Sequence, residues 1–292
     1  MKQRIAVTLL LSFFFNYSFS QSENQFIGAL KLNDSSFISY RILFEETNGV
    51  VTGFSVTDFG GPHETKSKIT GSYDKKKGVI RFKESGIVYT KSQVNRYDFC
   101  FVTFSGKLSK LKNAKSLKGQ FKGVYSDGSS CIDGELAMTS YEKIKKRAVT
   151  ADRMIQKTKK ISKEQKARVS VQKSVDTLSM NVMRESQNMS LFTKDPFIEI
   201  EIYDAGREDG DRITIRANKK IYLDDYTVSR DHRKIQIPIK TDETEIEIIA
   251  ENEGGAPPNT AFLIVRDSEK EIETVTNLKK GKRSKITILR KP

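Results

Sequence analysis

Residues 37–59 read FISYRILFEETNGVVTGFSVTDF, and this stretch decides the fold of the first part of the chain. Two runs rich in apolar, aromatic and β-branched residues flank Asn48-Gly49. Asn-Gly between such runs is the strongest short-range signal for a tight β-hairpin. The stretch therefore predicts two antiparallel strands joined by a short turn.

The same pattern continues to Ser140. Residues 68–74 (KITGSYD) and 78–84 (GVIRFKE) flank a lysine-rich tip, and a Ser-Asp-Gly turn follows at 126–128. We expect about eight short strands within residues 21–140, with no helix between them. Consecutive strands with tight turns favour an antiparallel meander, and eight strands can close into a barrel that removes the exposed edges.

Residues 141–195 change in character, because glycine is absent and 14 Lys and Arg stand against 6 Asp and Glu. Apolar residues recur at spacings of three and four, which places them on one helix face. They are Ile144, Ala148, Ala151 and Ile155, and then Ala167, Val171, Val175, Leu178 and Val182. The segment is predicted to be a basic helical linker that ends before Pro196.

Residues 196–292 return to a β pattern and carry 18 Lys and Arg against 19 Asp and Glu. In FIEIEIYD (197–204) isoleucine alternates with glutamate, which is typical of a half-buried strand. Seven or eight such runs predict a β-sandwich. Pro238 lies within one run, and this position predicts an edge strand.

Residues 1–20 have the features of a secretory signal peptide. Lys2 and Arg4 precede an apolar run at residues 5–15, and small residues suit cleavage before Gln21. The run is shorter than the roughly 20 residues that a membrane-spanning helix needs. We therefore expect export to the periplasm, the cell surface or the extracellular space, with no transmembrane segment after cleavage.

Cys100 and Cys131 are the two cysteines of the chain. In an exported protein an even pair predicts a disulfide, which would contribute about 3–4 kcal/mol in the chain-entropy model. Two buried free thiols are the alternative interpretation. The cysteines and the two histidines, His63 and His232, show no metal-ligand spacing, so we expect no metal and no cofactor.

Seven aromatic residues of the first segment form the candidate ligand-binding site. Pointing inward, they would line a barrel cavity for an apolar or glycan ligand. Alternatively, a small barrel is filled by its own side chains. The seven residues are Phe54, Tyr73, Tyr89, Phe99, Phe101, Phe121 and Tyr125.

The sequence nominates no catalytic residue. Ser109 and Lys112 match S-x-x-K, but the S-D-N and K-T-G motifs that accompany it in acyl-serine enzymes do not follow. His63, in FGGPHET, has no evident nucleophile partner. Glu45 and Glu46 are adjacent, so on a strand they point to opposite faces and make a poor acid–base pair.

Two loops of the third segment are rich in polar or turn-forming residues. DAGREDGDR (204–212) could offer carboxylate oxygens to calcium or could simply connect two strands, and its spacing does not match an EF-hand. AENEGGAPPNTAFLIV (250–265) contains two glycines, two prolines and two asparagines. We interpret it as a rigid connection between strands, with a binding site as the alternative.

The third segment resembles a recurrent C-terminal β-domain of uncharacterised exported proteins of the Bacteroidetes type. EDGDRITIRAN (208–218) is similar to its DGD-x-I turn, and IIAENEGGAPPNTAFLIV (248–265) to its AEN-x-G-x-x-PPNTA loop. The resemblance covers about a third of the chain. It implies a sandwich fold and an envelope or extracellular setting, but no activity. The first segment resembles lipocalin- and avidin-like meanders only in general.

The leading hypothesis is an exported, non-enzymatic protein with two β-domains that binds a glycan, a lipid-like ligand or an envelope protein. The alternatives are a hydrolase acting on envelope polymers and a structural spacer. Residues 141–195 present either a solvated helix face or a surface with weak attraction to anionic surfaces. We expect no nucleic-acid partner, because no aromatic residue lies between Tyr141 and Phe192 to stack on bases.

Overall fold

The computed structural model describes residues 24–93, 99–108, 116–158, 162, 166, 170–177, 180–206 and 208–290. The expected signal peptide lies outside these residues. Within them the chain is mainly β: a closed barrel is followed by two helices and by further sheets. This is the predicted fold class.

The first eight strands form a closed antiparallel barrel. Each strand pairs with its sequence neighbours, and pairing of β1 with β8 completes the ring. The predicted eight-stranded meander is therefore confirmed as an up-and-down barrel. The strands are β1 (Asn24–Leu32), β2 (Phe37–Thr47), β3 (Val50–Thr57), β4 (Thr65–Asp74), β5 (Val79–Thr90), β6 (Phe101–Lys107), β7 (Ser116–Val124) and β8 (Ser130–Ser140).

The β2–β3 hairpin turns at Asn48 and Gly49, as predicted. Both residues have positive φ, 52° and 85°. A two-residue type I′ turn requires positive φ at both central positions, and its twist matches that of the flanking strands. This turn therefore sets the register that pairs Thr47 with Val50.

The barrel interior is packed with its own side chains. Alternate residues of the strands point inward and form one cluster, which includes Phe26, Tyr40, Ile42, Phe44, Ile69, Ile80, Phe82, Phe104, Leu117 and Leu136. Where strands approach closely, glycine replaces a side chain. A Cβ at Gly53 would overlap the carbonyl oxygen of Leu43 on the neighbouring strand.

A disulfide joins Cys100, just before β6, to Cys131 in β8. This confirms the predicted pairing. Both sulfur atoms lie over Gly123 of β7, where a Cβ would collide with them. The crosslink therefore clasps three neighbouring strands of the barrel.

Two helices follow the barrel: α1 (Tyr141–Lys157) begins directly after β8, and α2 (Val171–Thr177) packs against α1. The Asp152 carboxylate of α1 accepts hydrogen bonds from the N–H groups of Val171 and Gln172, at 2.7 and 3.0 Å. A carboxylate at a helix N-terminus satisfies free N–H groups and the helix dipole. It therefore fixes the start of α2.

The helical prediction is wrong for residues 182–193, which form β9 (Val182–Arg184) and β10 (Asn188–Thr193). Strand β9 pairs in parallel with β17, and β10 pairs in parallel with β18, each about 90–100 residues later in the chain. These strands bury Met183, Met189 and Leu191. Such pairing is decided by distant partners, so the local sequence pattern does not reveal it. The division of the chain into domains stays a prediction.

The remaining strands form the predicted β-sandwich. Sheet 1 has the strand order β13-β12-β15-β18-β10, and sheet 2 has the order β14-β11-β16-β17-β9. Isoleucine-rich inner faces of both sheets meet in one core. The strands are β11 (Phe197–Tyr203), β12 (Arg212–Ala217), β13 (Lys220–Thr227), β14 (Arg233–Pro238), β15 (Glu243–Ala250), β16 (Phe262–Arg266), β17 (Glu271–Asn277) and β18 (Arg283–Arg290). Pro238 lies at the end of β14, the outermost strand of sheet 2, as expected of an edge strand.

Strand β5 joins the barrel to the sandwich. Its first half, from Val79 to Lys83, pairs with β6 and closes the barrel, whereas Tyr89 and Thr90 pair with β10 of sheet 1. The change of partner follows Gly86, whose φ of 82° permits a sharp bend. Val88 and Tyr89 consequently belong to the sandwich core, so barrel and sandwich share one sheet and adjoining cores.

Candidate functional site

A cleft of about 450 Å³, called the junction cleft below, lies where the outer face of the barrel meets sheet 2. This volume is within the range of small-molecule sites, about 300–1,000 Å³. Both parts of the chain line it. The barrel contributes Gln25, Arg41, Leu43, Phe54, Val56, Lys66 and Tyr89, and the sandwich side contributes Met180, Asn181, Phe262, Glu271, Ile272, Glu273, Thr274 and Val275.

The barrel wall of the cleft is cationic and aromatic. Arg41, Val56 and Lys66 are register partners across β2, β3 and β4, so they form one row on the outer face. Lys66 Nζ lies 4.4 Å from the centre of the Phe54 ring. Burial lowers the pKa of Lys66, and the positive charge of Arg41 adds to this shift, whereas Glu273 opposes it. The cleft therefore holds a partly desolvated lysine beside an aromatic ring.

The sandwich wall is acidic and aromatic. Glu271 and Glu273 occupy alternate positions of β17, so both side chains face the cleft. Glu271 accepts a hydrogen bond from Arg266 Nε at 2.6 Å. Next to them, the rings of Phe262 and Tyr203 are tilted against each other, with centroids 5.6 Å apart. Carboxylates on this wall thus face cations on the barrel wall.

A buried ion pair lies beside the cleft, between Lys91 and Glu64. Their side chains are 1% and 2% exposed, and Lys91 Nζ lies 3.0 Å from Glu64 Oε1. The same carboxylate accepts hydrogen bonds from Tyr89 Oη at 2.9 Å and from the Gly60 N–H at 2.6 Å. Lys91 also donates to the carbonyl of Val182, in β9, at 2.8 Å. The pair therefore ties the barrel to the sandwich; no motif in the sequence signals it.

The outer face of sheet 2 carries a second charge network, centred on Glu201. Its side chain is 7% exposed and contacts Arg266 and His232, while Lys234 Nζ lies 3.6 Å away. Hydrogen bonds from Arg266 and His232 lower the pKa of Glu201 to about 2. Because His232 stacks on Tyr203 and Tyr203 contacts Phe262, this network reaches the rim of the cleft.

One carboxylate, Glu84, lies inside the barrel at the point where β5 leaves β6. Its Oε1 accepts hydrogen bonds from Tyr40 Oη at 2.9 Å and Ser55 Oγ at 2.5 Å. Its Oε2 accepts the Val102 N–H at 2.8 Å, which lies next to the last β5–β6 pair. Burial raises the pKa of Glu84. The side chain replaces the missing strand partner, so its role is structural.

The seven aromatic residues of the predicted site do not lie together. Tyr73 and Phe121 belong to the packed barrel interior, whereas Phe54 and Tyr89 point outward and line the junction cleft. Phe99 and Phe101 are half-buried, and Tyr125 is exposed. Alternation along a strand separates two faces but does not say which is inside, so the sequence could not make this distinction.

The two loops of the sandwich contact each other through hydrogen bonds. Asp209 Oδ2 accepts the Ala256 N–H at 2.8 Å, and Asp211 Oδ2 accepts the Thr260 N–H at 2.7 Å. Gly254 has a φ of 55°, and a Cβ there would crowd both carboxylates. The acidic turn therefore holds the glycine- and proline-rich loop through backbone N–H groups, which agrees with a structural connection.

Three candidates of the sequence analysis remain: Ser109, Lys112 and His63. Ser109 and Lys112 lie outside the described residues. His63 is exposed, and its backbone N–H donates to Asp58 Oδ2 at 2.9 Å. Among the described residues, no three or more His, Cys, Asp or Glu side chains are grouped to hold a metal ion. In this same part of the chain, no helix is both long and apolar enough to cross a bilayer.

Comparison of the chain with protein-family models, with curated proteins and with solved structures finds no match. The resemblance of residues 208–218 and 248–265 to a β-domain of exported proteins therefore stays a prediction.

Proposed function

We propose that this chain is a non-enzymatic binding protein of the cell envelope or extracellular space, and that it binds a short polar glycan in the junction cleft. The observation that carries the proposal is the composition of the cleft. It combines the aromatic residues Phe54, Tyr89 and Phe262 with the amide of Asn181 and with charges of both signs.

The lining favours a glycan over a lipid-like ligand. A lipid-binding cavity is predominantly apolar, whereas Arg41, Lys66, Glu271 and Glu273 all line this cleft. Carboxylates accept hydrogen bonds from hydroxyl groups and cations donate to their oxygens, while aromatic residues contact the apolar faces of sugar rings. The packed barrel interior leaves the junction as the proposed site. Export, on which the envelope setting depends, rests on the sequence of residues 1–20.

Titration calorimetry of the mature chain against short oligosaccharides tests the proposal. Phe54→Ala should weaken binding about five- to thirtyfold, because a buried aromatic contact of this kind contributes about 1–2 kcal/mol. The matched control is Phe37→Ala, which removes a ring that is 67% exposed and lies outside the cleft. Absence of binding by the unaltered chain, or equal affinities of the two variants, would contradict the proposal.

A hydrolase remains a second proposal because of one observation. Glu271 and Glu273 lie on the same face of β17, and alternate positions on a strand are about 6.6 Å apart. This is a spacing of Cα atoms, from which two carboxyl groups can reach the separation of about 6.5–9.5 Å used by inverting glycosidases. A glycan that binds but is released unchanged after prolonged incubation would exclude this proposal. Hydrolysis that disappears in Glu273→Gln, with binding retained, would support the hydrolase and contradict the proposal of a non-enzymatic binding protein.

A further inference from the structure

Helix α1 presents two opposite faces. Ile144, Ala148, Ala151 and Ile155 form the inner stripe that the sequence predicts; Ala148 is buried and the other three are half-buried. The opposite face is exposed and carries Lys146, Arg147, Arg153 and Lys157. Because a helix turns by about 100° per residue, Lys146, Arg153 and Lys157 lie in one row within about 40° of each other, and Arg147 lies about 100° to one side of it.

The carboxylates of α1 do not neutralise this cationic face. Asp152 is used by the N–H groups of Val171 and Gln172 at the start of α2. Glu142 lies at the first turn, where its Oε1 is 3.9 Å from Lys145 Nζ. From Lys146 to Lys157, a length of about 17 Å, the exposed face therefore carries positive charge alone.

Exposed apolar side chains accompany the cations. Met154 is 66% exposed and Val149 is 39% exposed, and neither side chain belongs to the inner stripe of α1. The row of Lys146, Arg153 and Lys157 is flanked on one side by Arg147 and Met154, and this arrangement fits a planar anionic surface with an apolar layer beneath. It fits nucleic acid less well, because α1 has no aromatic residue on this face to stack on bases.

We propose that the exposed face of α1, defined by Lys146, Arg147, Arg153, Lys157 and Met154, docks the protein on an anionic lipid surface. The inference is independent of glycan binding in the cleft, and either can fail without the other. Attraction arises from the four cations, and Met154 enters the outer edge of the lipid layer.

Cosedimentation of the mature chain with vesicles tests the electrostatic part. Binding is expected to phosphatidylcholine vesicles that contain about 30 mol % phosphatidylglycerol, and not to pure phosphatidylcholine. Raising the salt concentration to about 0.5 M should release the protein. Replacing all four cations by glutamine should weaken binding about fivefold for each charge removed.

The matched control is K68Q/K83Q/K118Q/K122Q, which removes four exposed cations from the outer face of the barrel. The net charge then falls equally, so retention of binding by this control and loss in the α1 variant support the proposal. Equal losses in both variants would show that only net charge acts, and would overturn it. Absence of binding by the unaltered chain would also overturn it.

A fluorescence measurement tests which element touches the lipid. The chain contains no tryptophan, so Met154→Trp introduces a single reporter at an exposed position. Its emission should shift to the blue when anionic vesicles are added, because the ring leaves water. Vesicle binding without this shift would contradict docking through α1.

Discussion

The ion pair between Lys91 and Glu64 gives the sharpest test of how the barrel and the sandwich are held together. We expect Lys91→Met to lower the free energy of unfolding by about 3–5 kcal/mol, since it removes the ion-pair partner that lies 3.0 Å from the buried Glu64 carboxylate. The side chains are 1% and 2% exposed, so water cannot replace the lost partner without rearrangement. Glu64→Gln should cost a similar amount, because the Lys91 charge then stays buried.

The double variant Lys91→Met/Glu64→Gln distinguishes this reasoning from a simple loss of contacts. With no charge left to bury, it should be no less stable than either single variant. The coupling free energy is then about 3 kcal/mol or more. Tyr89 Oη can still donate to the oxygen of a glutamine at position 64, which keeps one original hydrogen bond.

Urea unfolding, followed by circular dichroism, measures all four proteins of the cycle. Equal urea m-values are the control that the surface exposed on unfolding is unchanged. Costs that add within about 0.5 kcal/mol would refute the reasoning, because independent sites behave in this way. Single-variant costs below about 1 kcal/mol would place the pair in the class of exposed ion pairs.

Two further predictions concern acid titration and the disulfide. Burial raises the pKa of Glu84 above its ordinary value of 4.5. The contribution of Glu84 to the free energy of unfolding is therefore present at low pH and is lost as pH rises through the raised pKa. In Glu84→Gln, this decrease of stability with rising pH should disappear. The pKa of Glu201 falls from 4.5 to about 2, so its contribution to stability is present above pH 4.5 and is lost as pH falls towards 2. Glu201→Gln should therefore reduce the loss of stability in acid. An unchanged dependence of unfolding free energy on pH, in either variant, would contradict these assignments of pKa. Replacing Cys100 and Cys131 by alanine should lower the free energy of unfolding by about 3.7 kcal/mol, the value of the chain-entropy model for a sequence separation of 31. Urea unfolding measures this loss. A loss near zero would show that the loop is already restricted in the unfolded chain.

The sequence predicts most of the fold because many of its signals are local. Asn48-Gly49 defines a hairpin without reference to the rest of the chain, and Pro238 marks an edge because it cannot donate an N–H. Cys100 and Cys131 could be paired because no other cysteine competes. Strand β10 could not be predicted, since one of its partner strands lies about 100 residues before it in the chain and the other about 100 residues after it.

The site is less predictable than the fold because it depends on how two parts of the chain meet. The sequence pattern predicts one cavity lined by the aromatic residues, yet Phe54 points outward and Tyr73 points inward. Glu64 and Lys91 look like ordinary surface residues in the sequence, and their burial depends on contacts with Gly60, Tyr89 and strand β9. The face of a strand that becomes buried is fixed by tertiary contacts, which short-range periodicity does not encode.

The division of β5 between two partners has a consequence for how the chain can be cut. A barrel that ends at Ser140 would retain the ring of eight strands but lose β10, leaving the backbone groups around Tyr89 without their neighbour. Such an open strand edge is a template for another chain, so the shortened protein would tend to join copies of itself edge to edge. Strand β10 of the sandwich thus pairs with the part of β5 that the barrel leaves unpaired. A fragment that avoids this self-association should contain both the barrel and the sandwich.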